Sequence, residues 1–319
     1  MTSTRKNKAI PKSESKRDGV AAGWMTLEAS SPSVEPPKAP SAEGIPKAKR
    51  LSIGSMVETN GASSLEQVEG FDTYVARNRG LFQPSAAPLA KPPAGSGFSP
   101  QNVQGSDNRV PVGDTTRLPW RSIAMLTITY QNGLRALGTA WFLGPKSLGT
   151  AGHNILHPEY GQAREILITP AYDGVVAPFG TYFAKQTYCD PRWLNGNFDA
   201  TLDFGILLLN DPTVGERLGW FGFASYPNSG LSRLLVNVAG YVVDRSPCTQ
   251  YFNGGRLEGA VPQFLLYDFD TERGMSGSPI FALFGNKRVV VGIHTYGSNV
   301  GNRARRIDDG LFDVLTRFV

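Results

Sequence analysis

From about residue 122 onward, apolar residues occur in short runs rich in Val, Ile, Leu, Phe and Tyr. Gly, Pro, Asn or Asp separates one run from the next, at a spacing of roughly 8–12 residues. The runs read SIAMLTITY, ALGTAWFLG, REILITP, FGILLLN, LLVNVAGYVV, QFLLYDF, SPIFALF and RVVVGIHTYG. Short strands at this spacing are typical of β-sandwiches and β-barrels. The pattern therefore predicts an all-β fold.

After residue 122, long helical periodicity occurs only at the C-terminal end of the chain. The stretch DDGLFDVLTRFV begins with an aspartate that can cap a helix, and its apolar residues fall on one face. These apolar residues are Leu311, Phe312, Leu315 and Phe318. We expect a helix over about residues 309–319 that closes two small barrels.

The first part of the chain has a different texture. Residues 1–101 are rich in Pro, Ser, Ala, Lys and Glu and cannot bury enough apolar surface to order themselves. They are predicted to form a largely disordered leader, apart from a short helix over about residues 63–74. No 18-residue apolar run is present, so no membrane-spanning helix is expected, and no convincing secretion signal begins the chain.

The net charge of +5 belongs to the leader. Residues 1–101 contain 13 Lys and Arg against 9 Asp and Glu, whereas residues 102–319 contain 19 against 18. The folded part is therefore close to neutral, and no nucleic-acid partner is expected. Nucleic-acid binding by the basic leader is the alternative, and it would show as strongly salt-dependent retention on DNA.

The only two cysteines, Cys189 and Cys248, allow one intramolecular disulfide at most. Neither lies in a CxxC pair, so both a bridge and two isolated thiols stay open. The sequence gives no sign of a metal site or of a cofactor.

The stretch TERGMSGSPIF, residues 271–281, carries the first candidate for chemistry. Glycines on either side of Ser276 allow a tight turn in which a hydroxyl is exposed beside backbone N–H groups. A serine needs a base to take its proton and N–H donors to stabilise the oxyanion that forms. Without such partners, the stretch would be an ordinary glycine-rich hairpin.

His153 and Asp203 are the candidate partners of this serine. His153 follows an apolar strand in SLGTAGH, and Asp203 stands at the head of the buried-looking strand DFGILLL. An ionised carboxylate at such an edge is costly unless it is paired, so Asp203 is the candidate that orients the histidine. A turn histidine and a turn aspartate are the structural alternatives, and Asp199 in the polar loop NGNFDAT is the rival carboxylate.

Three blocks of the sequence resemble the signature blocks of trypsin-like serine proteases, whose triad runs His, Asp, Ser along the chain. These blocks are TAGH at 150–153, DFGILLL at 203–209 and GMSGSPIF at 274–281. The serine block is most similar to that of bacterial glutamyl endopeptidases. The resemblance covers about residues 102–319 and implies a chymotrypsin-like fold of two six-stranded antiparallel β-barrels, at about 116–215 and 225–307.

The resemblance also implies roles for individual residues. His153, Asp203 and Ser276 would form the triad, and the backbone N–H groups of Gly274 and Ser276 would form the oxyanion hole. Thr271 and His294 occupy the positions that bind the substrate carboxylate in glutamyl enzymes. A hydroxyl and an imidazole N–H can both donate to a carboxylate, which is consistent with that role. A half-buried strand histidine is the alternative interpretation of His294.

Two departures from the family pattern stand out. In some relatives a disulfide brackets the catalytic histidine, but Gly138 and Asn154 occupy the corresponding positions here. In addition, no glutamate lies between Glu69 and Glu159, so self-cleavage after Glu near residue 101 is not available. Removal of the leader would then need another protease.

The function predicted from these residues is that of a secreted, zymogen-type serine endopeptidase preferring Glu or Asp before the cut. It is expected to act as a monomer on polypeptide substrates. The alternative function is an inactive, protease-like binding scaffold whose basic leader recruits a partner. Such scaffolds usually lose a triad residue, and none is lost here. A cytoplasmic location is the alternative compartment.

Overall fold

A computed structural model of the chain describes residues 24–26, 63–68, 107–232, 234–298 and 301–319. Most of the leader predicted over residues 1–101 lies outside these residues. None of the helices in the described part reaches the length and apolarity that a membrane crossing requires.

Strands dominate the described residues. In chain order they are β1 (Trp24–Thr26), β2 (Val110–Pro111), β3 (Ile123–Tyr130), β4 (Arg135–Phe142), β5 (Ser147–Thr150), β6 (Leu156–His157), β7 (Gly161–Pro170), β8 (Tyr182–Phe183), β9 (Gln186–Cys189), β10 (Gly205–Leu208), β11 (Gly222–Phe223), β12 (Leu235–Tyr241), β13 (Gln250–Arg256), β14 (Gly259–Val261), β15 (Phe264–Tyr267), β16 (Pro279–Phe284), β17 (Lys287–Ser298) and β18 (Gly301–Arg306). The α-helices are Pro191–Leu194, Thr213–Leu218, Asn228–Leu231 and Asp309–Leu315, and 3-10 turns are Trp120–Ser122, Gly152–Asn154, Ala200–Leu202 and Thr316–Phe318.

The strands form two sheets. The first sheet has the order β1-β9-β10-β5-β4-β3-β7-β6, with β8 on β7, and the second has the order β14-β15-β18-β17-β16-β12-β13-β2, with β11 on β17. All pairings are antiparallel except that of β11 with β17. In each sheet six strands have four or more residues, and the other three are short. These sheets confirm the predicted all-β class with two antiparallel units.

The C-terminal helix is also confirmed. Asp308 caps it by accepting a hydrogen bond from the Leu311 N–H at 2.9 Å. Leu311, Phe312 and Leu315 are buried against the strands. The α-helix ends at Leu315, before the predicted position, because the next residues form a 3-10 turn.

Buried apolar side chains form one core in each sheet and a central core between the sheets. The central core includes Trp141 of the first sheet, Phe281 of the second and Phe221 between them. The rings of Trp141 and Phe221 lie 6.1 Å apart, and those of Phe221 and Phe281 lie 5.2 Å apart. Each such aromatic pair adds about 0.5–1.5 kcal/mol beyond simple burial. The central core therefore fixes the two sheets relative to each other.

Residues 63–68 of the leader lie on the second sheet and form no helix. Ser64 forms an isolated antiparallel bridge with Leu283. The helix predicted over residues 63–74 is therefore wrong for 63–68, and residues 69–74 lie outside the described part. The Ser64 N–H bonds to Leu283 O of the sheet, whereas in a helix the backbone bonds would run to residues four positions away in the same segment.

Candidate active site

His153 and Asp203 form a close, buried pair. The His153 Nδ1 atom lies 2.9 Å from Asp203 Oδ2 and 3.1 Å from Oδ1. The backbone N–H of His153 also donates to Asp203 Oδ1, at 2.9 Å. Three contacts from one residue to one carboxylate hold the imidazole in a single orientation, with Nδ1 facing the carboxylate.

Strand pairing explains why these two residues meet. The strands β5 and β10 are antiparallel neighbours, and Thr150 at the end of β5 lies opposite Gly205 at the start of β10. The residues that follow β5 and those that precede β10 therefore share one edge of the first sheet. Gly152 allows the close approach, because a Cβ there would lie 3.2 Å from Asp203 Oδ1. A histidine after one strand and an aspartate before the other is the signal that the sequence carried.

The rival carboxylate, Asp199, has a different task. It caps the 3-10 turn Ala200–Leu202 by accepting a hydrogen bond from the Thr201 N–H at 2.8 Å. Its pKa is lowered, mainly by that backbone hydrogen bond. The histidine partner is therefore Asp203, and Asp199 serves the turn.

The loop that carries Ser276 packs tightly against the first sheet. Gly277 has a φ of +93°, and a Cβ there would lie 2.1 Å from the Thr139 carbonyl oxygen and 2.4 Å from Thr150 Oγ1. Only glycine fits this position without forcing the backbone apart. The small residues around Ser276 thus serve close packing of the loop as well as a tight turn. The Ser276 side chain reaches a largely enclosed position, with 4% of the residue exposed.

Asn154 links the histidine turn to the serine loop. Its Nδ2 atom donates to Ser276 O at 3.0 Å and to Thr150 Oγ1 at 2.9 Å. Gly138 makes room for this amide, since a Cβ on Gly138 would lie 2.8 Å from Asn154 Nδ2. Sequence reasoning noted Gly138 and Asn154 only as the positions of an absent disulfide. The structure shows that the two positions are in contact and that a hydrogen-bonded amide occupies the space.

Two backbone N–H groups of the serine loop, those of Gly274 and Ser276, have no hydrogen-bond acceptor within the described ranges. Gly274 has a φ of +95°, and its carbonyl oxygen accepts from Thr139 Oγ1 at 2.7 Å, which fixes the following peptide plane. The arrangement can donate two hydrogen bonds to an anionic oxygen.

Thr271 and His294 lie fully buried next to this loop. The backbone N–H of His294 donates to Ser278 O at 2.9 Å, and the backbone carbonyl of His294 accepts from the Gly277 N–H at 2.7 Å. Thr271 Oγ1 and His294 Nε2 have no hydrogen-bond partner among the described residues. Buried polar atoms are almost always paired, so these two donor-capable atoms beside the loop need a structural or functional explanation.

Tyr267 is a site residue that sequence reasoning missed. Its hydroxyl lies 2.5 Å from His294 Nδ1. The pKa of the Tyr267 phenol is raised well above its usual value by burial, so the hydroxyl stays protonated. The one available signal was a tyrosine in the otherwise apolar run QFLLYDF.

The two histidines outside the Asp203 pair are held neutral. Burial, followed by the nearby His153, lowers the pKa of His294 to about 3 and that of His157 to about 4. His157 Nδ1 accepts hydrogen bonds from the Glu159 and Tyr160 N–H groups at 3.1 Å and 3.3 Å, and a proton on Nδ1 would break both. Both imidazoles are therefore uncharged at neutral pH.

These shifts predict an acid-sensitive fold. A histidine in an unfolded chain has a pKa of about 6.5. Between pH 6.5 and about 4, His157 and His294 therefore bind protons in the unfolded chain but not in the folded one. Stability must then fall as pH is lowered from 7 to 5. Urea unfolding at both pH values is expected to show a lower midpoint at pH 5 with an unchanged slope. His157→Gln should reduce this difference, and a wild-type midpoint that is equal at both pH values would contradict the assignment.

The cysteines do not form a disulfide. Cys189 is buried in the core of the first sheet, and burial raises the pKa of its thiol. Cys248 packs against the central core. In the part of the chain that the structure describes, no group of three or more His, Cys, Asp or Glu side chains is arranged to hold a metal ion.

Comparisons with known proteins give relatives over most of the folded part. A glutamyl endopeptidase of Bacillus licheniformis is 32% identical over 237 residues, which cover 72% of each chain. A Bacillus subtilis protein named extracellular metalloprotease is 29% identical over 218 residues, which cover 68% of this chain and 69% of that one. No family model matches the chain.

A solved structure supports the fold. The structure of a Glu endopeptidase in complex with MPD matches with a TM-score of 0.59 and 20% sequence identity. The match covers 67% of this chain and 97% of the other. The two antiparallel sheets described above are therefore arranged as in that protein.

Proposed function

The chain belongs to the glutamyl endopeptidase family of trypsin-like serine proteases, and from that premise we propose that it hydrolyses peptide bonds after Glu or Asp through His153, Asp203 and Ser276. The observation that carries the proposal is the 2.9 Å contact between His153 Nδ1 and Asp203 Oδ2. Asn154 supports it, since it ties the histidine turn to the Ser276 carbonyl at 3.0 Å.

The proposed mechanism proceeds through an acyl-enzyme. His153 takes the proton of Ser276 as the hydroxyl attacks the substrate carbonyl, and it then gives that proton to the leaving amine. Asp203 keeps a proton on Nδ1 of the imidazole, which leaves Nε2 free to act as the base. It also stabilises the imidazolium that forms.

The unpaired N–H groups of Gly274 and Ser276 are the proposed oxyanion hole. Charge develops on the substrate oxygen only during attack, so these donors stabilise the transition state more than the bound substrate. One such donor is typically worth about 3–4 kcal/mol. The bond from Thr139 Oγ1 to Gly274 O holds the Gly274 carbonyl in place, which supports the proposed role of this loop.

The proposed preference for Glu rests on Thr271 and His294. Their Oγ1 and Nε2 atoms are buried and unpaired, and both can donate to a carboxylate. We assign the Tyr267 hydroxyl as the donor to His294 Nδ1, which puts the imidazole proton on Nε2, toward the substrate. A neutral imidazole donates a hydrogen bond without placing a buried charge in the empty pocket.

A series of chromogenic peptides that differ only in the residue before the cut tests this function. We expect kcat/KM after Glu to exceed that after Gln by about a hundredfold or more, because a Gln side chain leaves the buried donors poorly paired. Prior treatment with a sulfonyl fluoride should abolish all cleavage and attach the sulfonyl group to the Ser276 oxygen, with release of fluoride and the hydroxyl proton. Equal rates after Glu, Leu and Arg would rule out the preference, and an unlabelled Ser276 would favour a binding scaffold.

Thr271→Val gives the sharper test of the pocket, because it removes the hydroxyl and keeps the side-chain shape. It should lower kcat/KM for Glu peptides by about tenfold to a hundredfold and leave that for Leu peptides nearly unchanged. Thr187→Val is the matched control. Thr187 is also buried with an unpaired hydroxyl, but it lies on β9 of the first sheet, whereas Thr271 and His294 belong to the half of the chain that forms the second sheet.

We further propose that the enzyme is secreted as a monomeric zymogen. N-terminal sequencing of the native protein tests this, since a start near Asn102 would indicate removal of the leader.

A further inference from the structure

Residues 63–68, SSLEQV, form a segment that we term the clip. The clip lies on the second sheet, where β12 and β16 separate. These two strands are paired only at Asn237–Phe281 and Val238–Ile280. Beyond that point the clip takes the place between them: the Ser64 N–H donates to Leu283 O of β16 at 2.8 Å, and Ser63 Oγ accepts from the Leu235 N–H of β12 at 3.0 Å.

Asn237, in the middle of β12, serves the clip with both ends of its amide. Its Oδ1 atom accepts from the Glu66 N–H at 2.7 Å, and its Nδ2 atom donates to Ser64 O at 3.2 Å. Nδ2 also donates to Phe281 O at 3.2 Å. Asn237 is fully buried. Without the clip, its Oδ1 atom would lose the Glu66 N–H as its donor, and an amide oxygen left unpaired in a buried position is costly.

Glu66 of the clip is buried in an ion pair with Arg288 of β17. Arg288 Nε and Nη2 lie 2.5 Å and 3.1 Å from the two carboxylate oxygens. The Glu66 side chain is only 8% exposed, and the Arg288 side chain is 18% exposed. Such bidentate contacts fix the geometry of the pair, and loss of one partner leaves the other charge poorly solvated.

The apolar side chains of the clip pack inward. Leu65 and Val68 contact the central core. Gly254 on β13 gives Leu65 its space, since a Cβ there would lie 2.9 Å from Leu65 Cδ2. The surface under the clip thus provides a hydrogen-bonding amide, a cation and an apolar recess for one extended segment.

We propose that this surface is a built groove for the clip, and that the clip stays bound to the second sheet without a covalent link after the chain is cut between residues 69 and 106. The contacts above all lie within residues 63–68, so none of them depends on the connecting residues. Residues 63–68 of the leader would then stay as a permanent part of the folded protein, while the rest of the leader can be removed. The proposal does not depend on catalysis.

The test uses the full chain carrying Ser276→Ala, so that self-digestion cannot occur. Recognition sites for a foreign protease are introduced within residues 30–60 and within residues 70–100, which separates the clip from β1 as well as from the folded part. After both cuts, size-exclusion chromatography and native mass spectrometry are expected to find the clip fragment with the protease domain. A fragment that separates in one passage at micromolar concentration would overturn the proposal.

Glu66→Gln and Arg288→Ala show whether the groove is the cause of retention. Each should speed release of the fragment by at least about tenfold. Glu66→Gln leaves the sheets unaltered, so its effect cannot come from misfolding of the protease domain. Arg192→Ala is the control, because Arg192 forms an exposed ion pair with Asp190 that is remote in sequence and sheet from the clip. Equal release from all variants and the wild type would overturn the assigned groove.

Discussion

Ser276→Ala is expected to lower kcat by about six orders of magnitude, because removal of the nucleophile disables the triad as a unit. The fold should survive the change. The structural bonds of Ser276 come from its carbonyl oxygen, which accepts from the Thr139 N–H at 2.9 Å and from Asn154 Nδ2 at 3.0 Å. Alanine keeps that carbonyl. Steady-state rates on a Glu peptide and thermal melts of both proteins give the comparison.

Ser278→Ala is the matched control for this variant. Ser278 lies two residues further along the same loop, and its hydroxyl is buried with no partner among the described residues. Loss of that hydroxyl should leave kcat within a few-fold of wild type. The role of Ser276 would be untenable if its alanine variant kept wild-type turnover, or if Ser278→Ala proved the more harmful change.

The predictable part of the fold was the part set by local pattern. Runs of β-branched and aromatic residues bounded by Gly, Pro and Asn form strands in the structure. They were predictable because side chains of these types favour strands, and their order along the chain shows which positions are buried. The C-terminal helix was predicted for the same reason, since Asp308 and the apolar residues after it lie within one short window. The order of strands in a sheet depends on residues far apart in sequence, so short stretches do not predict it. That part of the prediction came from the resemblance to trypsin-like serine proteases.

The sequence also indicated the candidate catalytic pair, because a histidine and an aspartate at strand ends are marked by their neighbours. Asn154, Tyr267 and the clip were not predictable in this way. Asn154 matters through Ser276, which is 122 residues away, and the clip through Asn237 and Arg288. A polar residue that is satisfied by a distant partner looks, in sequence, like any other loop residue.

The local composition of the leader was misleading about residues 63–68. SSLEQV has helix-forming Leu, Glu and Gln, and this local preference favoured a helix. A split in the second sheet offered the same backbone more hydrogen bonds than one isolated helical turn can form. Tertiary contacts therefore overrode local propensity, and Glu66 lies buried beside Arg288.

Asp203→Asn is expected to lower kcat by about four orders of magnitude with little change in the melting temperature. The Asn side chain keeps one oxygen that can accept from the His153 N–H. However, its NH2 group cannot accept from Nδ1–H, so it favours the imidazole tautomer whose Nε2 carries the proton. Such an imidazole cannot take a proton from Ser276. The loss should therefore fall on kcat and leave KM for the Glu peptide nearly unchanged.

Asp199→Asn separates the effect of a lost carboxylate near the site from the effect of the lost pair. Asn and Asp cap helices about equally well, so the turn at Ala200–Leu202 should keep its stability. This variant should retain wild-type kcat, because Asp199 bonds to Thr201 and not to the imidazole. Equal losses from Asp199→Asn and Asp203→Asn would mean that general electrostatics near the site, and not the 2.9 Å contact with His153, sets the rate.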